Sequence, residues 1–192
     1  VTEGSRPEAA ERRERLVELL RDRSFERKRV VLASGKESDF FIDCKQTILT
    51  AEGHALVGEL FFAELAYLPP CEGVAGVELG GCPLASAVAL TSFLRGRPLD
   101  AFYVRKEVKD HGSKRLVEGD KNLRPGMPIV MLEDVITTGG STLKAVEKLA
   151  SVGAKVVGVV ALVDRMEGGR EAIEAAGLPL RAVTTRRDFM GD

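Results

Sequence analysis

Two acids, Glu133 and Asp134, stand at the end of the apolar run Ile129-Val-Met-Leu, and Val135 and Ile136 lead from them into Thr137-Thr-Gly-Gly-Ser-Thr142. Four bulky apolar residues in a row read as a buried parallel strand, which delivers both carboxylates to its carboxyl end. Thr137, Thr138, Gly139, Gly140 and Ser141 then offer hydroxyls and backbone N–H groups where a helix starts. Unpaired donors and the helix dipole favour a phosphate at such a place. Glycine lets the backbone close around an anion that a Cβ would hold off. The carboxylates suit another part of the same ligand, because they repel phosphate but accept hydrogen bonds from sugar hydroxyls. These residue types together build a site for a sugar phosphate. Neither standard phosphate loop is present: there is no G-x-x-x-x-G-K-[ST], and no G-x-G-x-x-G follows a strand. An ordinary strand-to-helix turn uses similar residues, so other segments must decide.

The segment Tyr103-Val-Arg-Lys-Glu-Val-Lys-Asp-His-Gly112 places Arg105, Lys106, Lys109 and His111 where they can surround a polyanion. One cation at roughly 4 Å is worth about 4 kcal/mol at an effective dielectric of about 20, before desolvation. Several acting on a leaving group whose charge grows in the transition state affect the rate. Alone, such a run reads equally as solvated surface. In Val163-Asp-Arg-Met-Glu-Gly-Gly-Arg170, the Arg165 guanidinium is a planar fork for a carboxylate, or a salt-bridge partner for Asp164 or Glu167. His54 falls on a helical stretch far from these segments and reads as structural.

The stretch from Ile129 to Thr142 resembles the PRPP-binding motif of the type I phosphoribosyltransferases. Residues 103–112 are similar to the mobile catalytic loop of the orotate phosphoribosyltransferases. Ser34-Gly-Lys-Glu-Ser-Asp-Phe-Phe-Ile-Asp43 resembles the segment that packs beside orotate there, and residues 163–170 a strand end bearing an orotate-contacting arginine. The four pieces occur in the family's order. The resemblance implies Mg²⁺-dependent transfer of the phosphoribosyl group from PRPP to orotate, giving orotidine 5′-phosphate and pyrophosphate on the route to UMP. It casts Lys106, Lys109, His111 and Asp134 as catalytic. PRPP binding extends over Arg105, Lys106, Lys109, His111, Glu133, Asp134, Val135, Ile136, Thr137, Thr138, Gly139, Gly140 and Ser141. Phe41, Thr137 and Arg165 fall to orotate. No protein metal site is expected, the magnesium being held mainly by the substrate. A homodimer is implied, with Lys106 entering the neighbouring subunit's site. Leu79-Gly80 stands where some members carry Tyr-Lys, and Ala33 where some carry lysine. Two other readings share the motif: a phosphoribosyltransferase for another base, and a PRPP-sensing regulator that binds nucleic acid. Arg165 separates the first, since a base without a carboxylate has no use for it.

Which elements position these groups follows from periodicity. Residues 11–22 predict an amphipathic helix, with Leu16, Leu19 and Leu20 on one face. Strands are expected at 25–32 and 40–44 around the polar turn 34–39. Thr50 is the predicted N-cap of a helix that packs Leu56, Leu60, Phe61 and Leu65 inward and stops before Pro69-Pro70. Strands at 74–79, 101–104, 129–135, 156–164 and 180–184 then alternate with helices at 83–94, 141–151 and 169–176, with a long polar loop from 105 through 119. This predicts an α/β fold: a mainly parallel, twisted sheet flanked by helices, the fold the resemblance also implies. Ligands of such sheets sit beyond the strand carboxyl ends. A single domain over residues 1–192 is expected, residues 1–50 supplying the N-terminal helix and a small hood.

Composition bounds the alternatives. The 192 residues carry 30% charge, yet the signs nearly cancel to a net −1, so no general nucleic-acid surface is advertised. Cys44, Cys71 and Cys82 are odd in number and widely spaced, which fits reduced thiols and a cytoplasmic protein. No apolar run approaches the roughly 20 residues of a membrane span, and the charged N-terminal residues lack a signal-peptide core.

Overall fold

The computed structural model describes residues 5–31, 37–107 and 115–191. Helix α1 (Ser5–Arg23) comes first. Four two-residue strands follow: β1 (Phe25–Glu26) pairs antiparallel with β4 (Phe41–Ile42), and β2 (Val30–Val31) with β3 (Glu37–Ser38). The predicted strands at 25–32 and 40–44 are thus cut into short pieces. Arg27, Lys28 and Arg29 interrupt the first, and all three are exposed. Part of the predicted turn, Glu37 and Ser38, is strand instead. Residues 45–48, which carried no helical signal, form α2 (Lys45–Ile48), its Thr47 and Ile48 buried. Helix α3 (Ala51–Glu64) starts where Thr50 accepts a hydrogen bond from the Gly53 N–H, as the sequence predicts.

The main sheet begins with β5 (Gly73–Val77), α4 (Gly81–Leu94) and β6 (Asp100–Val104). Pro83 lies in the first turn of α4, where its missing N–H forfeits no helical bond. Within the expected polar loop, β7 (Val117–Glu118) adds an antiparallel edge to β6, because Val117 buries itself there. Then come β8 (Pro128–Ile136), α5 (Gly140–Ser151), β9 (Lys155–Asp164), α6 (Gly169–Ala175), β10 (Leu180–Thr185) and α7 (Arg187–Met190). The strand order is β10-β9-β8-β5-β6-β7, parallel throughout except at β6–β7.

Successive residues of β8 enter different cores. Val130 and Leu132 pack with Val160, Leu162 and residues of α1, α3 and α4, whereas Ile129 and Met131 pack with Val159, Ala161, Leu149 of α5 and Ile173 of α6. Each such side chain, fully buried, is worth about 1.5–3 kcal/mol, so the strand carrying the acids is fixed from both sides. At the other end of the chain, Phe25, Phe40 and Phe189 stack with centroids 5.2 to 5.8 Å apart. Arg13 of α1 pairs with Asp188 of α7 at 2.7 Å. The N-terminal segment is thereby anchored to the last helix. From β5 the chain first moves to β6, then returns to β8 on the opposite side of β5. The topological switch lies between β5 and β8, where open α/β sheets bind their ligands.

Candidate functional site

A cavity of about 480 Å³ opens at that switch. Val77, Glu78, Leu79 and Gly80 line it from β5 and the turn after it, and Glu133, Asp134 and Val135 from β8. Ser141 of α5, Lys106 beyond β6 and Lys45 of α2 complete the wall. A Cβ on Gly80 would lie 2.0 Å from the Asp134 Oδ2, so the absence of a side chain is what lets this turn meet the strand end.

The neighbouring acids have different surroundings, as strand alternation requires. Glu133 is buried at 5% exposure and accepts a hydrogen bond from the Thr142 Oγ1 at 3.0 Å. Burial, reinforced by the Asp134 charge, pushes its carboxyl up to about 8. Asp134 is half-buried; its Oδ1 accepts from the Val135 N–H at 2.9 Å. Cys44 lies beneath, its Sγ 3.9 Å from the Asp134 carbonyl, and burial pushes that thiol well above the usual range.

The state of Glu133 has a consequence for stability. A carboxyl raised from 4.5 to about 8 holds its proton in the folded chain over a window where the unfolded chain has lost it. Stability therefore falls as pH rises from about 4.5 to about 8, and the loss is complete above that. Glu133→Gln is expected to flatten this part of the curve and to leave the ligand-free variant more stable than the parent at pH 9. Urea unfolding at pH 5, 7 and 9 checks it; parallel curves for the two proteins would refute the assignment.

The turn after the acids leads straight into α5. Gly139 adopts φ +78° ahead of α5, and no side chain caps the helix. The first intrahelical bond in this turn runs from the Leu143 N–H to the Gly139 carbonyl at 2.9 Å. The N–H groups of Gly140, Ser141 and Thr142 precede it and have no acceptor within the helix. Thr138, Gly140 and Ser141 are exposed and Thr137 is half-buried. Ile136 is 1% exposed, a core residue, and only its backbone can face a ligand.

Other predicted residues are placed less directly. The Arg105 guanidinium is taken by Glu118, at 2.6 Å, and faces a smaller neighbouring cleft of about 230 Å³ with Lys144 and Lys148. Lys106 is exposed; its backbone N–H donates to Glu78 Oε1 at 2.6 Å, and Lys148 Nζ donates to the carbonyls of Arg105 and Lys106 at 2.7 Å each. This tethers the root of the basic loop. Lys106 lines the cavity together with Asp134 of its own chain. Lys109 and His111 lie outside the described residues.

Arg165 is 7% exposed, beside the cavity rather than in its wall. Its Nη2 donates to Ser38 Oγ at 3.0 Å and to the Phe40 carbonyl at 3.2 Å, and it pairs with Glu167 at 2.9 Å. The aromatic ring near it is Phe40, 5.2 Å away, while the half-buried Phe41 ring lies under Lys28 at 3.9 Å. Sequence reasoning missed two wall residues, Lys45 and Glu78. Lys45 follows the segment 34–43 and Glu78 directly precedes Leu79-Gly80, and only the folded chain brings them to Asp134.

Paired acids running into an uncapped glycine turn, at the switch point of a parallel sheet, define an α/β protein built for a phosphorylated sugar. Residues 72–176 match the phosphoribosyl transferase domain family. An orotate phosphoribosyltransferase of Sorangium cellulosum is 78% identical over 183 residues, 95% of either chain. Among solved structures, Mycobacterium tuberculosis H37Rv orotate phosphoribosyltransferase in complex with Fe(III) dicitrate superposes with a TM-score of 0.79 at 41% identity, covering 93% of this chain and 99% of that one. The same enzyme in complex with 5-phospho-α-D-ribosyl 1-diphosphate (PRPP) gives 0.76 at 38% identity, covering 93% and 98%. The chain belongs to the orotate phosphoribosyltransferase family.

Proposed function

We propose that this chain transfers the 5-phosphoribosyl group of PRPP to orotate, yielding orotidine 5′-phosphate and pyrophosphate for pyrimidine biosynthesis. The observation that carries the reading is the placement of Asp134 beside the uncapped turn 137–141, within a chain so similar to an orotate phosphoribosyltransferase. The N–H groups and hydroxyls of that turn take the 5′-phosphate. Asp134 accepts from a ribose hydroxyl and lies close to the positive charge that grows on the sugar as the bond from C1 to the diphosphate breaks. Lys106, joined by Lys109 and His111 of the same loop, offsets the charge gathering on the departing pyrophosphate. Arg165 already spends Nε and Nη2 on Glu167, Ser38 and Phe40, which leaves its Nη1 donors for the carboxylate of orotate.

Magnesium is part of the proposal, held mainly by the oxygens of the substrate and by water, with the hard carboxylate oxygens of Glu78 and Asp134 on the same cavity wall. When bound, it would neutralise diphosphate charge. The whole chain serves as one catalytic unit, with residues 1–50 supplying the N-terminal helix and a hood, a reading supported by the Phe25–Phe40–Phe189 cluster. A homodimer is part of the proposal, supported by the exposed Leu90, Phe93 and Leu94 of α4. The cytoplasm is the proposed compartment, in keeping with three free thiols.

The test is pyrophosphate release from PRPP and Mg²⁺ with orotate, uracil, adenine or guanine as acceptor. Turnover is expected with orotate alone. Release with a base that lacks a carboxylate, and none with orotate, would overturn the reading.

A further inference from the structure

Lys45 is a cation on the cavity wall that neither the sequence motifs nor the reaction scheme uses. It stands in the first turn of α2, directly after Cys44, whose side chain abuts the Asp134 carbonyl. Among the described wall residues, Glu78, Glu133 and Asp134 are acidic and only Lys45 and Lys106 are cationic. A ligand with several negative charges therefore finds few partners here besides these two. They come from different directions. Lys106 follows β6, one neighbour of β5, whereas Lys45 lies against the end of β8, the other neighbour. The turn Glu78–Gly80, which carries no positive side chain of its own, sits between them.

The ammonium is also oriented. Asp43 Oδ1 accepts from Lys45 Nζ at 2.5 Å and from the Lys45 N–H at 3.3 Å, while Asp43 Oδ2 accepts from Gln46 at 3.1 Å. A lysine has three N–H donors, so one is committed to Asp43 and two remain for a ligand. Half-buried, the side chain is aimed and still reachable.

We propose that Lys45 is a ligand-binding residue of this site, its ammonium contacting the diphosphate of the phosphoribosyl donor from the side of the turn away from Lys106. The proposal rests on the reading of the site given above. The diphosphate is favoured over the other anionic groups because Lys45 shares a wall with the turn after β5. The 5′-phosphate turn, which leads into α5, reaches that wall through Ser141 alone, and Arg165 lies outside it.

The experiment compares full-length parent, Lys45→Met and Lys45→Arg. Calorimetry with inorganic pyrophosphate, ribose 5-phosphate and orotate, each with Mg²⁺, is paired with KM for PRPP and for orotate. Lys45→Met is expected to weaken pyrophosphate binding and raise KM for PRPP by about ten- to a hundredfold, as for loss of a charged hydrogen bond. Ribose 5-phosphate and orotate should bind within about twofold of the parent, since that contact is absent from both. Lys45→Arg is expected to recover most of the loss, and thermal unfolding to stay close to that of the parent. Unchanged pyrophosphate affinity in Lys45→Met would overturn the proposal. So would equal weakening of all three ligands, or equal loss in the methionine and arginine variants, which would mark Lys45 as structural. A parent protein that binds neither PRPP nor pyrophosphate would overturn the functional reading itself; a parent that binds both, with Lys45→Met unaltered, overturns this contact alone.

Discussion

Replacing Asp134 by asparagine is expected to lower kcat about a hundred- to a thousandfold while the fold stays intact. The change is nearly isosteric. Asparagine keeps an oxygen to accept the Val135 N–H at 2.9 Å, and the residue is half-buried, not part of either core. What disappears is a full negative charge at the mouth of β8, facing the place where the ribose becomes positive. That interaction grows toward the transition state, so its loss falls on kcat more than on PRPP binding. Removing the charge also relieves Glu133, whose raised carboxyl owes its second-largest push to Asp134. Unfolding measurements should therefore show Asp134→Asn no less stable than the parent at neutral pH. Single-turnover rates with saturating PRPP and orotate check the kinetic part, and a kcat within threefold of the parent would remove Asp134 from the chemistry.

The sequence made this site legible where local pattern and local structure coincide. Residues 129–135 read as a strand, and β8 runs Pro128–Ile136; the glycine turn and the helix from 140 follow as expected. An unbroken apolar run is a property of the chain itself, and here it survives folding because both faces of β8 are buried. The opposite orientation of Glu133 and Asp134 also follows from strand geometry. The extra depth of Glu133 does not, because its burial under α5 and its bond to Thr142 depend on packing.

The N-terminal region was less legible for the same reason. Its strands are two residues long, too short for periodicity to register, and the charges of residues 27–29 break the pattern. The buried ring beside Arg165 is Phe40, where the sequence favoured its neighbour Phe41 for the orotate site. Phe40 directly precedes β4 and Phe41 opens it, and Phe40 turns inward against Phe25 and Phe189, the latter from the far end of the chain. Lys45 and Glu78 join Asp134 through tertiary structure alone. Charge pairs such as Arg105–Glu118 likewise arise on folding and leave no mark in a loop motif.

Lys106→Ala is the second variant expected to show a large effect, about a hundredfold or more in kcat/KM, because it removes a cation beside the leaving group. Its fold should be unaffected, since the side chain is exposed and the loop root is held by backbone groups bonded to Glu78 and Lys148. Mixing Lys106→Ala subunits with Asp134→Asn subunits then asks which chain uses the lysine. If Lys106 crossed to a partner, each mixed dimer would hold one site with both groups intact. Random pairing would then restore about a quarter of the parent activity. If it serves its own chain, every site lacks either the cation or the carboxylate. Lys106 lines a single-chain cavity with Asp134, so no recovery is expected. Activity near a quarter of the parent would place the lysine across the interface, and the tether from Lys148 would then act to present it to the neighbouring subunit.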